Sequence, residues 1–214
     1  SGWKKVLLEN AVTPIQQYSY TTGKNSTDSA MIIDAMDILY TNRVDGFCLV
    51  SSDCDFTRLA TRLREAGKLV IGIGEQKTPT PFISACDRFI YLEILSDDKK
   101  KKQRSMKARG SQPALEEPGI GMPAAAVRQK GNRLPQEVSE MIIVSVNDLA
   151  DENGWAFLGD VGNLLLKKQP SFDSRNYGYQ KLSQLIQAMD RFEIEPRDTA
   201  NAHVKHIFIR EKAS

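Results

Sequence analysis

Apolar positions along the chain fall into two groups of elements, separated by a long stretch in which no hydrophobic period survives. In the first group, Trp3 to Ala11 reads as the end of an amphipathic helix, and Ile15 to Tyr20 alternates like a strand. Thr21 to Ser26 is polar and reads as a loop, with Ser26 or Thr27 placed to cap a helix. From about Asp28 to Tyr40 apolar residues surround the whole helix, a pattern that predicts burial. Gly46 to Ser51 is short and rich in aromatic and β-branched types, and predicts a buried strand. The strand runs into Ser51-Ser52-Asp53. A helix follows whose apolar residues Phe56, Leu59, Ala60 and Leu63 share one face, closed at Gly67 by a left-handed cap. Lys68 to Gly74 predicts another strand, Thr78 to Cys86 a stiff loop opening a short helix, and Phe89 to Leu95 a last strand. Alternating strands and helices with short continuous apolar strands predict an α/β domain over residues 1–95, its parallel sheet covered on both faces.

Residues 96–133 carry Lys99 to Lys102, Arg104, Lys107 and Arg109, followed by scattered Pro, Gly and Ala. Such composition cannot build a core and predicts a disordered basic linker. Its Gly119-Ile120-Gly121 only resembles a phosphate loop by chance. The basic run attracts nucleic acid by counterion release or simply keeps the chain solvated; both readings stand. From Leu134 to the end the pattern gives helices around Val138–Leu149, Leu158–Leu166 and Tyr179–Met189. Two short strands follow at about Phe192–Glu195 and His203–Ile209. Three helices and a β-hairpin make a small winged-helix domain over residues 134–214.

Charge sharpens this division. The net charge of +2 hides ten basic against four acidic groups in 96–133, whereas 134–214 carries nine against twelve. No apolar run has the length of a membrane span and no signal peptide is visible, so no membrane partner is expected. Cys48, Cys54 and Cys86 lack metal-ligand spacing and read as reduced thiols of a cytoplasmic protein. His203 and His206 are the only histidines, three apart on a strand and so facing opposite ways. A histidine-based metal pair or triad has little to draw on. Gly72 and Gly74 do not extend to a dinucleotide fingerprint.

Candidate chemistry centres on Asp53 and Asp55. In an α/β sheet, ligands and catalytic groups collect at the carboxyl ends of strands, which is where these carboxylates fall. A divalent cation or a phosphate is the expected ligand. The alternative is a plain helix cap by Asp53 or Ser52. Asp28 occupies the first turn of its helix, where the dipole favours a carboxylate. Asp34, mid-helix, needs a partner or a wet site. Lys24 is placed to meet a phosphate or to lie solvated in its loop. Arg58 and Arg62 face an RNA backbone or pair with Glu65.

Lys24 to Asp34 and Val50 to Phe56 resemble the corresponding segments of the NYN domain, a PIN-like (Rossmannoid) nuclease fold, over residues 13–95. The resemblance implies acidic side chains binding Mg²⁺ or Mn²⁺ for phosphodiester hydrolysis, with Asp28 and Asp53 as the closest matches, then Asp55 and Asp34. The family opens on a strand of the form L-I-D-A-E/D-N that has no counterpart here. An N-terminally truncated domain, inactive by itself, is therefore the expectation. Residues 135–212 resemble the OST-HTH or LOTUS winged helix, most closely in Pro170 to Leu182, which implies RNA binding. Lys167, Lys168, Arg175 and Lys181 form the patch available for it, and a protein partner docking on the winged helix is a further possibility. Together these imply a metal-dependent endoribonuclease acting on single-stranded or structured RNA. The alternatives are a non-catalytic RNA-binding adaptor and a DNA-binding regulator, the latter disfavoured by the acidic balance of the second domain.

Overall fold

The computed structural model describes residues 3–18, 26–95, 134–198 and 205–212. The first unit runs α1 (Trp3–Glu9), α2 (Ser26–Thr41), β1 (Gly46–Val50), a 3₁₀ turn (Cys54–Phe56), α3 (Thr57–Glu65), β2 (Leu69–Gly74), α4 (Thr80–Ala85) and β3 (Arg88–Tyr91). The strands pair in parallel in the order β1-β2-β3. Gly67 adopts a φ of 75° just past α3, in the left-handed region where a side chain is strained.

One face of this sheet is buried and the other is not. In the parallel register Leu49 lies beside Gly72 and Gly72 beside Phe89, so Leu49, Val70 and Phe89 point to one side. All three are buried there, with Leu59, Leu63, Phe82 and Cys86. On the opposite side Val50 is 61% and Leu69 53% exposed. The expectation of a sheet covered on both faces is thus corrected for the described residues. The reason is handedness: two successive right-handed crossovers in strand order 1-2-3 put α3 and α4 on the same face.

Three local expectations also change. Residues 15–18 of the predicted Ile15–Tyr20 strand are irregular, and Ile15 is 70% exposed. Alternation alone makes no strand without a neighbour to bond. Helix α2 buries only Ala35 and Leu39 and leaves Ile33, Ile38 and Tyr40 exposed, so it covers the core with one stripe and is not enclosed. The last strand stops at Tyr91, and residues 92–95 turn helical, burying Ile94. The loop at Thr21, Lys24 and the basic segment of 96–133 lie outside the described residues.

The thiol of Cys86 donates to the Phe82 carbonyl at 3.3 Å, and burial pushes its pKa up to about 11. It is a packing residue, inert at neutral pH. Arg64 ties α3 to the far side of the core: its guanidinium meets Asp87 at 3.0 Å and the carbonyls of Ser84 and Ala85 at 3.3 Å. Asp87 in turn accepts the Val70 N–H at 2.8 Å.

The second unit comprises α5 (Gln136–Leu149), β4 (Ala156–Phe157), α6 (Leu158–Lys168), a 3₁₀ turn (Ser174–Tyr177), α7 (Leu182–Ala188), β5 (Phe192–Asp198) and β6 (Lys205–Glu211). The antiparallel sheet has the order β4-β6-β5, with Ala156 opposite Ile209 and Ile194 also opposite Ile209. Val138, Ile142, Val146, Val161, Leu165, Leu185, Ile186 and Ile209 make a core separate from the first. This is a winged-helix arrangement. Strand β4, two residues long, carries too little pattern to be read from sequence.

The two units meet at β3. Its free edge donates the Phe89 N–H to the Pro170 carbonyl at 2.8 Å. Beside it, Arg88 lies 3.9 Å from Asp173, whose carboxylate also receives the Arg175 side chain at 3.0 and 2.8 Å and the Arg175 N–H at 2.9 Å. Burial works to raise the Asp173 pKa, but the Arg175 hydrogen bonds with the charges of Arg175 and Arg88 outweigh it. They hold the group below the ordinary carboxylate range. Burial likewise raises the Tyr177 hydroxyl, with Tyr91 nearby.

Two outcomes follow from this packing. A Cβ on Gly74 would lie 2.5 Å from the Ser51 carbonyl and 2.7 Å from Thr78 Oγ1. Gly74→Ala is therefore expected to destabilise the first unit by about 2 kcal/mol. Hydrogen exchange of the Phe47–Leu49 amides should accelerate roughly thirtyfold, that energy as a population ratio, while Leu185 and Ile186 are unaffected; equal rates would show that the loop yields without cost. Asp173→Asn is expected to cost about 1.5–3 kcal/mol at pH 7. A depressed carboxylate stabilises above its unfolded pKa and loses that contribution as pH falls through the folded value. The gap between variant and wild type, read by urea denaturation, should accordingly close below about pH 4. A gap independent of pH would mean that the charge of Asp173 contributes nothing.

Candidate metal centre

The end of β1 is shaped by its own short polar side chains. Ser51 continues the ladder, donating its N–H to Ile73 at 2.9 Å, and its Oγ accepts the Asp53 N–H at 3.1 Å. Asp53 then caps the 3₁₀ turn: its Oδ1 accepts the Asp55 N–H at 3.0 Å. The Thr57 hydroxyl donates back to the Cys54 carbonyl at 2.6 Å, and buried Phe56 pins the turn to the core. From the neighbouring strand end, the Glu75 N–H donates to Ser52 Oγ at 2.8 Å. Each turn residue is thereby fixed through its backbone, and the acidic side chains point away from the core.

One ligand atom from each of Asp53, Cys54 and Asp55 lies within 4.8 Å of the others, and all three residues are exposed. Carboxylate oxygens are hard donors that suit Mg²⁺ or Mn²⁺, whereas the Cys54 thiol does not. Two carboxylates fit a hydrated ion that keeps most of its waters, so the donor set present is compatible with the implied metal. The capping alternative is also realised: Asp53 caps with one oxygen, which leaves the other for a ligand.

The remaining acidic candidates are not gathered into this group. Asp28 sits in the first turn of α2, half-buried, and half-buried Asp34 follows further along the same helix. Helix α2 packs against the 3₁₀ turn. Two carboxylates not singled out from sequence share the carboxyl edge of the sheet. Glu75 directly follows β2 and pairs with Lys77 at 2.6 Å; Glu93 follows β3 and accepts the Gln76 N–H at 3.0 Å. Their position just past an apolar strand was the available signal.

Among the basic candidates, Arg58 and Arg62 both approach Glu65, at 3.9 and 4.0 Å, in exposed pairs worth little to stability. Lys168 meets Asp148 at 2.9 Å, and Arg175 is turned onto Asp173. Lys167 lies in the last turn of α6 and is exposed. Lys181 is exposed at the start of α7 and makes no ion pair among the described residues. Sequence reasoning missed Arg88 and Asp173, because their roles arise only where the two units touch.

Family models match the chain twice, an NYN domain over residues 1–93 and an OST-HTH/LOTUS domain over 133–204. Among solved structures, an uncharacterized protein of Nitrosomonas europaea is 34% identical over 47% of this chain and 94% of its own, with a TM-score of 0.34. A fragment, residues 175–257, of a Chromobacterium violaceum protein is 32% identical over 36% of this chain and 82% of its own, with a TM-score of 0.30. No curated protein matches. No helix among the described residues is long and apolar enough to cross a membrane. With a parallel α/β unit bearing an acidic turn ahead of a winged helix, and both family models matched in that order, the chain carries an NYN domain, of a nuclease family, followed by an OST-HTH/LOTUS domain.

Proposed function

We propose that this chain is a metal-dependent ribonuclease, its NYN unit of residues 1–95 hydrolysing RNA phosphodiesters and its winged helix of 134–214 binding the RNA. The observation that carries this reading is the Asp53–Asp55 turn at the carboxyl end of β1. Exposed carboxylates repel a phosphodiester, so a pair held rigidly at a ligand-binding edge makes sense with a cation between them and the substrate. Mg²⁺ or Mn²⁺ bound there would polarise the phosphoryl oxygen and lower the pKa of water.

In this reading Asp53 and Asp55 hold the ion through their outward oxygens. The Ser51 and Thr57 hydrogen bonds hold the backbone of the turn, and the Asp55 N–H orients the Asp53 carboxylate. Asp28 supplies the next carboxylate from the helix packed on the same turn, with Asp34 behind it. Arg58 and Arg62, on the helix leaving the site, exchange Glu65 for substrate phosphates. Lys24, outside the described residues, is proposed as a further phosphate contact. Lys167, Lys168, Arg175 and Lys181 contribute RNA contacts from the winged helix. A non-catalytic RNA-binding role is the second reading, favoured by the fact that among the described residues two carboxylates come together in the turn.

Adding Mn²⁺ to ¹⁵N-labelled protein should broaden the Asp53, Cys54 and Asp55 amides in wild type and leave the same positions of the Asp53→Asn variant unaffected. Asn keeps the shape but offers a neutral amide, a poor ligand for a hard cation. With the family's opening strand supplied, cleavage of single-stranded RNA with Mg²⁺ or Mn²⁺ should vanish in Asp53→Asn and fall roughly 10- to 100-fold in Asp55→Asn if Asp55 orients the ion's water. Equal broadening in the Asp53→Asn variant would overturn the metal assignment; specific broadening without any cleavage would favour the second reading.

A further inference from the structure

A well-formed groove among the described residues lies away from the acidic turn. It lies against the winged helix, holds about 680 Å³, and is lined by α6, the turn before α7, the start of β6 and Arg88 of β3. Its walls carry cations from both units: Arg88, Lys181 and Lys205. Asp173 is the acidic lining residue, and its charge is already met by Arg175 at 2.8 Å and Arg88 at 3.9 Å. Lys205 reaches Asp198 at 3.3 Å, but both partners are exposed, so this pair is readily exchanged for another anion. The groove is therefore locally positive although the winged helix as a whole is acidic.

Aromatic surface lies in the same groove. The Phe157 and His206 rings are 4.8 Å apart, His206 is exposed and Phe157 is half-buried. Gly159 keeps the space beside Phe157 open, since a Cβ there would stand 2.6 Å from the ring. Gln180 and Asn163 add polar side chains able to donate and accept. A phosphate-seeking wall beside an accessible aromatic face is the combination that binds unpaired nucleotides, whose bases stack while their backbone is neutralised. An acidic peptide would use the cations and leave the rings idle.

We propose that this groove is a binding site for single-stranded RNA, with a base against Phe157 and His206 and the backbone along Arg88, Lys181 and Lys205. The inference rests on the RNA-directed reading above and assigns its grip to a composite site to which the NYN unit contributes Arg88. An RNA bound there touches both units at once, so the junction at Phe89 and Pro170 fixes where the strand lies relative to β3.

The test uses the full chain and a fluorescein-labelled single-stranded RNA of about twelve nucleotides, within the usual site size. Anisotropy measured across a salt series should show Lys181→Ala/Lys205→Ala binding at least roughly tenfold more weakly. The slope of log affinity against log salt should fall by about 1.4, as two lost phosphate contacts require. His206→Ala should weaken binding by roughly five- to hundredfold with little change in slope, since stacking releases no counterion. All three substitutions are at exposed positions, and ¹H–¹⁵N spectra confirm folding and report RNA-induced shifts at Gly159, Gly162, Lys181 and His206. Wild-type binding with unchanged variants and no shifts at those residues would overturn the groove assignment and leave RNA binding standing. Absence of any wild-type binding at low salt would overturn both. Displacement of the RNA by a polyglutamate peptide that shifts the same residues as strongly would overturn the RNA assignment in favour of an acidic protein segment.

Discussion

The handedness of strand crossovers decides more of this molecule than any single contact. A strand connected to a parallel neighbour through a helix returns by a right-handed path, because a twisted strand feeding a right-handed helix packs back onto the sheet only that way. With the order β1-β2-β3, both crossover helices must lie on one side. Leu49, Val70 and Phe89 sink into the core on that side, while Val50 and Leu69 remain exposed on the other. The same parallel run brings the turn after β1, Glu75 after β2 and Glu93 after β3 to one edge of the sheet. Carboxylates scattered over forty residues of sequence thus become neighbours of a single rim.

That topology also makes β3 an edge. Among the described residues its outer side has no strand to bond, and burial of those backbone groups without a partner would be costly. Pro170 supplies a carbonyl to Phe89, and the charge cluster of Arg88, Asp173 and Arg175 closes over the contact. Asp173 is central to the arrangement because one carboxylate does two jobs. It caps the 3₁₀ turn that leads toward α7, and it neutralises arginines from both units. The winged helix is held against the sheet by an edge that would otherwise need protection.

Much of this was legible in the residues. Short apolar runs bounded by turn residues located β1 and β2, and the four-residue period located α3, α5 and α6 within a few residues. Ser51-Ser52-Asp53 announced a capped turn at a strand end, and Asp53 and Asp55 came together as the local spacing required. The same local logic failed where a segment's state depends on a distant neighbour. Residues 15–18 have a strand's alternation but are irregular, α2 has the composition of an enclosed helix but exposes Ile33, and residues 92–95 leave the sheet to bury Ile94 as a helix. In each case the side chains state a preference for burial and say nothing of which surface will supply it.

The sequence by itself determined the two-unit plan, the parallel class of the first sheet, the hairpin of the second and the acidic turn, because each rests on interactions among residues close in the chain. Tertiary structure alone decided which sheet face is covered, that Asp28 and Asp34 stand outside the Asp53–Asp55 group, that Arg175 turns inward to Asp173, and that Arg88 joins a groove of the winged helix. These depend on distances between residues separated by tens of positions. Periodicity fixes how a side chain is oriented on its own element; the packing of elements fixes what it meets.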